Sequence, residues 1–114
     1  EDPNLLDAGK RAVTLVAGGS YMSHADSFAI SRGGHLDVCV LGTYEVTADG
    51  DLANWSLGGT TVPAVGGAMD LAVGARNVYV MTQHNVKDGS PKLVRRTTLP
   101  LTAASVVTRI YTDL

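Results

Sequence analysis

The sequence lacks the features that identify secreted and membrane-spanning proteins. It has 114 residues and one cysteine, Cys39, so no disulfide can form within the chain, which fits a reducing compartment. No apolar run approaches the roughly 18 residues that a membrane-spanning helix needs. Glu1 and Asp2 stand where a signal peptide would carry positive charge. These absences predict a cytoplasmic protein that does not bind a membrane.

The sequence is also poor in the residue patterns that bind nucleic acid, metal or nucleotide phosphates. Nine basic residues against eleven acidic ones give a net charge of −2, without the basic patch that nucleic acid requires. His24, His35 and His84 lie far apart in sequence, and none has a second ligand at metal-binding spacing, so we expect no metal. Neither G-x-G-x-x-G nor G-x-x-x-x-G-K-[ST] occurs, which excludes a Walker-type phosphate loop.

The serine and cysteine nucleophiles common in enzymes are not supported either. Gly18-Gly19-Ser20 begins like a nucleophile elbow, but Met22 replaces the glycine needed two residues after the serine. Cys39 lies among branched apolar residues in LDVCVLG without a positive neighbour, so we expect an inert thiol.

The patterns that are present predict an α/β fold in one domain, residues 1–114. Apolar residues make up 45% of the chain, enough for one core. Branched apolar runs predict strands, and capped periodic segments predict helices. The strands are predicted at 11–16, 35–42 (buried on both faces), 43–47, 77–83 and 92–99, and the helices at 24–33, 66–75 and 102–109, with a helical turn at 4–10 and a strand end and loop at 51–59. This alternation is typical of an open, mostly parallel sheet with flanking helices.

Two adjacent glycines, Gly66 and Gly67, open the helix predicted in TVPAVGGAMDLAVGAR. They could simply form a tight turn. Alternatively, a backbone without side chains could approach a ligand closely and aim an N–H group at an oxyanion. Asp70 in the first helical turn suits the helix dipole in both interpretations.

Several polar residues remain open to two interpretations. Lys10 and Arg32 could be solvated, or they could contact the anionic tail of a cofactor. Asn54 and Trp55 could form a core plug with a capping amide, or the wall of a ligand site.

Four segments together resemble a known family. DSFAISRGGHLDVCVLG, GDLANW, VPAVGGAMDLAVGAR and TLPLT…VVTRIYTDL occur in one order, and the likeness covers nearly the whole chain. They resemble the B (β) subunit of the 3-oxoacid CoA-transferases. GGSYMSHADSF and RIYTDL favour the 3-oxoadipate branch, which serves the β-ketoadipate pathway of aromatic catabolism. The resemblance therefore implies a CoA-transferase-like fold.

The resemblance also implies a mechanism and a partner. In this family a glutamate attacks an acyl-CoA thioester, and CoA passes to the acceptor through a glutamyl-CoA thioester, here from succinyl-CoA to a 3-oxoacid. CoA is then a substrate, and no tightly bound cofactor is expected. The backbone of Gly67, with Gly66, is expected to contact the oxyanion, and Lys10, Asn54 and Ala68 to contact CoA. The partner is an A (α) subunit in a hetero-oligomer.

One family motif does not occur in these residues. The nucleophile lies in a Ser-Glu-Asn-Gly motif upstream of the segment that matches NLLDAGK, and neither Glu1 nor Glu45 has that context. We therefore interpret the chain as a fragment, incomplete at both ends, and expect it to be inactive alone. Two alternatives remain open: a catalytically inactive CoA- or metabolite-binding module on the same scaffold, and an acetoacetate-specific CoA-transferase.

Overall fold

The computed structural model describes residues 3–7, 10–60 and 63–114. Across these ranges the chain forms two helices and six short strands. The helices are α1 (His24–Arg32) and α2 (Ala68–Gly74), and the strands are β1 (Cys39–Leu41), β2 (Glu45–Thr47), β3 (Leu52–Ala53), β4 (Val78–Met81), β5 (Leu93–Val94) and β6 (Val107–Tyr111). The predicted α/β class is confirmed.

The strands form two three-stranded sheets. The first has the order β1-β4-β6 and is parallel throughout. The second has the order β3-β2-β5, with β2 antiparallel to β3 and parallel to β5. Three of the four strand pairings are therefore parallel, as the branched apolar runs predicted.

The hydrophobic core connects the two sheets with α2. Val46 and Leu52 from the second sheet, Val80 from the first and Ala72 from α2 form one buried cluster. Around it pack half-buried apolar residues, Leu41, Ala103, Val106, Val107 and Ile110. This shared core fixes α2 against the first sheet, and α2 in turn packs beside α1.

The predicted ends of α1 agree with the structure. Ser23 is the N-cap, and its Oγ accepts a hydrogen bond from the Asp26 backbone N–H at 3.1 Å. Gly33 caps the C-terminus by donating its N–H to the Ala29 carbonyl oxygen at 2.9 Å. Short polar side chains and glycine supply these caps because they satisfy backbone groups that the helix leaves unpaired.

The helix predicted at 102–109 is wrong, because this segment contributes a strand. Ser105 adopts a positive φ of 54°, which interrupts any helix, and Val107 onward pairs with β4 as β6. The N–H groups of Val106 and Val107 both donate to the Gly50 carbonyl oxygen. The run of branched residues suits a strand, and the vacant edge of β4 accommodates it.

The strand predicted at 11–16 is also wrong. These residues are exposed, Val16 to 80%, and the one bridge in the segment joins Ala12 to Leu6. Apolar residues alone do not make a strand when neither described sheet reaches them. The helical turn predicted at 4–10 is absent from its described residues, 4–7 and Lys10, and Gly9 lies outside them.

Two other predicted strands are shorter than expected. Of 35–42, only Cys39–Leu41 forms a strand, and Val40 is 55% exposed, so burial on both faces is wrong there. Of 92–99, only Leu93–Val94 pairs with β2.

The two helices approach closely because Gly74 has no side chain. A Cβ at this position would overlap the Ser31 carbonyl oxygen of α1 and lie 2.7 Å from the Ser31 carbonyl carbon. Both are backbone atoms of α1, so the helix itself would have to move. Gly74 therefore fixes the distance between α1 and α2.

Replacing Gly74 with alanine is expected to destabilise the protein by about 1–3 kcal/mol, the usual cost of overpacking. The higher helix propensity of alanine recovers only about 1 kcal/mol, so the clash prevails. Urea unfolding of Gly74→Ala measures the difference. The matched control is Gly42→Ala, where a Cβ meets nothing within 4 Å and no loss is expected. Equal stability of Gly74→Ala and the parent would contradict this account.

Candidate functional site

An open cleft lies between α1 and the turn that precedes α2. Its volume is about 440 Å³. The residues that line it are His24, Ala25, Phe28, Arg32, Gly66, Gly67 and Asp70. The structure therefore brings the predicted Gly66–Gly67 turn to a cleft.

One face of α1 forms a wall of this cleft. His24, Phe28 and Arg32 are spaced four residues apart, which places them one above another on a helix. The His24 and Phe28 rings meet edge to face with centroids 4.8 Å apart. Phe28 is not among the site residues predicted from the sequence, although its spacing from His24 and Arg32 behind the Ser23 cap indicates that the three share a helix face.

The Gly66–Gly67 turn faces Phe28. Gly66 has a φ of +65°, a conformation that favours glycine, so the turn itself requires one of the two. A Cβ at Gly67 would overlap Cζ of Phe28 and lie 2.6 Å from its Cε1. Gly67 therefore also allows the aromatic ring to lie directly against the backbone.

Gly67 lies at the start of α2 and lines the cleft. Gly67 is the N-cap of α2, and its carbonyl oxygen accepts from the Leu71 N–H at 3.1 Å. Among the described residues, none accepts a hydrogen bond from the Gly67 N–H. Ala68, the next residue, begins α2, is half-buried and does not line the cleft, so its contact with CoA stays a prediction. The cleft is thus lined by a residue whose N–H has no acceptor among the described residues.

An ion pair joins the two helices at the cleft. The Arg32 Nε and Nη2 atoms donate to the two Asp70 carboxylate oxygens at 2.8 and 3.0 Å. The hydrogen bond from Arg32 holds the pKa of Asp70 below its usual value. Two of the Arg32 nitrogens thus hold Asp70 although its side chain is largely exposed, and a contact with a cofactor tail stays a prediction.

Two other predicted site residues do not line this cleft. Lys10 is exposed, with a φ of 64°, and its N–H donates to the Asp7 carbonyl oxygen. Asn54 uses its side chain within the fold: its Nδ2 donates to the Gly42 carbonyl oxygen, and its Oδ1 accepts from Thr102 Oγ1 at 2.6 Å. Contacts of either residue with CoA stay a prediction.

Trp55 and Cys39 also have local explanations. The Trp55 Nε1 donates to the Leu101 carbonyl oxygen at 3.0 Å, which supports the core-plug interpretation of this segment. Cys39 is buried on β1, and this burial raises the pKa of its thiol. A raised pKa disfavours the reactive thiolate, in agreement with the inert thiol predicted for it.

The Glu45 carboxylate binds a neighbouring loop of the fold. It accepts hydrogen bonds from the Thr98 N–H at 2.6 Å, the Thr98 hydroxyl at 2.7 Å and the Leu99 N–H at 3.0 Å. Partial burial alone would raise the pKa of Glu45, but the bonds from Thr98 and Leu99 outweigh it and hold this pKa below its usual value. A carboxylate engaged in three such bonds is a poor nucleophile.

Comparison with known proteins now places the chain. Residues 2–114 match the family model described as Coenzyme A transferase. The chain belongs to the coenzyme A transferase family. The resemblance stated from the sequence is confirmed.

Among the described residues, no group of three or more His, Cys, Asp or Glu side chains could hold a metal ion, and no helix is long and apolar enough to cross a membrane.

Three curated relatives with which the chain was compared are B or beta subunits. It is 56% identical to the B subunit of the 3-oxoadipate CoA-transferase of Acinetobacter baylyi, over 100% of this chain and 53% of that protein. It is 57% identical to the corresponding B subunit of Pseudomonas putida, over 100% of this chain and 54% of that protein. The identity to the beta subunit of the acetate CoA-transferase of Escherichia coli is 46%, over 98% of this chain and 52% of that protein. The chain thus spans about half the length of the curated relatives it matches.

Solved structures confirm the fold alone. The decarboxylase AibA/AibB superposes with a TM-score of 0.57 at 23% identity, over 100% of this chain and 48% of that chain. A mutant of RipA gives a TM-score of 0.56 at 21% identity, over 66% of this chain and 19% of that chain.

The hydrogen bonds to the Glu45 carboxylate predict that the stability contributed by this residue depends on pH. Because the pKa of Glu45 is lowered in the folded protein, its ionised form adds stability above the ordinary value of 4.5. That contribution is lost as the pH falls through the folded-state pKa. Glu45→Gln is expected to cost about 1–3 kcal/mol at pH 7, because the amide cannot accept all three bonds. The cost should shrink below pH 4.5.

Urea unfolding at pH 7 and pH 4 measures both parts of this prediction. Asp49→Asn is the matched control, since Asp49 is exposed in the turn after β2 and none of the described residues bonds its side chain. A Glu45→Gln cost that is the same at both pH values, or no larger than that of the control, would contradict it.

Proposed function

We propose that this chain is part of the B subunit of a CoA-transferase that moves CoA from succinyl-CoA to a 3-oxoacid, most specifically 3-oxoadipate. The observation that carries the proposal is the 56–57% identity, over the whole chain, to the B subunits of two 3-oxoadipate CoA-transferases. The identity to the subunits of succinyl-CoA:3-ketoacid and acetate CoA-transferases is lower, 46–48%.

The chemistry proposed for the complete enzyme is covalent catalysis by a glutamate outside these residues. Its carboxylate attacks the thioester carbonyl of succinyl-CoA, which gives a mixed anhydride and releases the CoA thiolate. The thiolate then attacks the glutamyl carbonyl, forming a glutamyl-CoA thioester and free succinate. The acceptor carboxylate reverses the two steps and leaves with CoA. Each addition passes through a tetrahedral oxyanion, which needs hydrogen-bond donors.

This chain would supply one such donor from the turn before α2. The Gly67 N–H lies at a cleft and has no acceptor among the residues of the described ranges. Gly66 makes the turn possible through its positive φ. In this proposal the Gly67 N–H donates to the oxyanion, while Gly66 positions it and the neighbouring Ala68 contacts CoA. Lys10 and Asn54 would contact CoA only if the complete assembly brings the cofactor to them.

The partner proposed is the A subunit of a CoA-transferase, because the three relatives compared above are named as B or beta subunits. The 114-residue chain alone is expected to be inactive, since it supplies neither the glutamate motif nor the partner. An inactive CoA-binding module and an acetoacetate-specific transferase are the alternatives that experiment must separate.

Trapping the intermediate tests the function. The complete assembly of A and B subunits, treated with succinyl-CoA and then borohydride, is expected to show one reduced glutamate in peptide mass spectrometry. The reagent reduces a glutamyl thioester to an alcohol and leaves free carboxylates unchanged. A protein that binds CoA but shows no reduced glutamate would support the inactive module. An acceptor panel of 3-oxoadipate and acetoacetate then separates the two transferases.

The oxyanion role of Gly67 has its own test in the complete enzyme. Gly67→Ala and Gly67→Pro both add a Cβ against Phe28, but only proline removes the N–H, and the φ of −82° is near the value that proline fixes. Turnover of the proline variant is expected to be about 10²–10³ lower than that of the alanine variant, the usual effect of losing one oxyanion donor.

The control for this pair is the affinity for CoA, measured by calorimetry, which should change much less than turnover. The Phe28 ring can rotate away from an added Cβ, so both variants are expected to fold. Equal turnover of the two variants would leave Gly67 with only its packing role.

A further inference from the structure

His24 is the basic side chain of the cleft that has no polar partner among the described residues. It is the first residue of α1 and is exposed. The hydrogen bond recorded at this residue is accepted by its backbone oxygen, from the Ser27 hydroxyl. Within the part of the chain that the structure describes, the imidazole makes no hydrogen bond and no ion pair, and its ring contact is with Phe28.

The other basic residue of the cleft is already neutralised. The charge of Arg32 is balanced by Asp70, which also lines the cleft and holds the guanidinium in two hydrogen bonds. An incoming carboxylate at Arg32 would compete with Asp70 and feel its repulsion. His24 has no such competitor, and an imidazole donates a hydrogen bond when neutral and carries charge when protonated.

The apolar surface between His24 and the Gly66–Gly67 turn belongs to Phe28. Its ring meets the His24 ring edge to face, and its Cζ and Cε1 atoms lie against the Gly67 backbone. His24 and Phe28 are one helical turn apart, a rise of roughly 6 Å along the axis. The lining of the cleft thus includes the Gly67 turn, an aromatic ring that contacts both this turn and His24, and the His24 imidazole itself.

We propose that His24 binds the distal carboxylate of the acyl group and so selects 3-oxoacids that carry a second carboxylate. The inference rests on the proposed function, in which the reacting carbonyl lies at Gly67. The methylene chain of the acyl group then lies on the Phe28 ring, and the second carboxylate reaches the imidazole. A monocarboxylic 3-oxoacid such as acetoacetate leaves His24 unused and gains nothing from it. His24 is therefore a specificity residue of the cleft.

The test uses the complete assembly of A and B subunits with succinyl-CoA as donor. The measured quantity is the selectivity ratio, kcat/KM for 3-oxoadipate divided by kcat/KM for acetoacetate. The donor and acceptor half-reactions are separate, so kcat/KM for the acceptor reports only the half-reaction in which that acceptor takes part. His24→Phe keeps an aromatic contact with Phe28 and removes the donor. It is expected to lower the ratio about 10- to 100-fold, the effect of losing one hydrogen bond to a charged group.

Two further variants keep the test decisive. His24→Lys supplies a hydrogen-bond donor again and is expected to recover much of the lost ratio, which a purely structural role would not. His35→Phe makes the same chemical change at a histidine that does not line the cleft, and it should leave the ratio unchanged. An unchanged ratio in His24→Phe, or an equal loss with both acceptors, would overturn the proposal.

Ligand binding separates a failure of this inference from a failure of the proposed function. In NMR spectra of the complete protein with labelled histidine, adipate should shift the His24 signal and hexanoate, with one carboxylate, should not. A parent enzyme without transferase activity would refute the proposed function, and the adipate shift would still report whether His24 binds dicarboxylates. Equal response to adipate and hexanoate would refute the inference while a transferase activity stands.

Discussion

The close approach of α1 and α2 is the constraint on which the candidate site depends. Two positions without side chains allow it: Gly74 lies against the Ser31 carbonyl group, and Gly67 lies against the Phe28 ring. The first contact involves backbone atoms, which move only if α1 itself moves, whereas the second involves a ring that can rotate. Gly74 therefore sets the spacing of the helices, and Gly67 allows the Phe28 ring to lie against the turn at the cleft. The Arg32–Asp70 ion pair then joins the helices across the same opening.

The carboxylates of the described residues show how environment separates structural from reactive groups. Glu45 accepts three hydrogen bonds from the Thr98–Leu99 segment, and Asp70 is held by Arg32. Both have a lowered pKa because the hydrogen bonds favour the ionised form. Such carboxylates stabilise the fold but offer little to an electrophile. The mechanism proposed for the family therefore needs a glutamate other than these.

Local signals in the sequence predicted the elements that build the cleft. Ser23 and Gly33 marked the ends of α1, and the paired glycines marked the start of α2, because caps and turns depend on neighbouring residues alone. The long-range partners could not be read in the same way. The segment 11–16 has strand composition but no sheet beside it, and Val107–Tyr111 became a strand because β4 offered an edge. Likewise, no local pattern indicated that Phe28 would meet Gly67, or Arg32 would meet Asp70.

The central chemical claim concerns the direction of one backbone group, and a structure of the complete A and B subunits trapped as the glutamyl-CoA thioester would test it most directly. The account predicts that the thioester carbonyl oxygen lies within about 3 Å of the Gly67 nitrogen, as an oxyanion donor requires. It would be contradicted if that oxygen were bound by other donors and the Gly67 N–H faced water or protein.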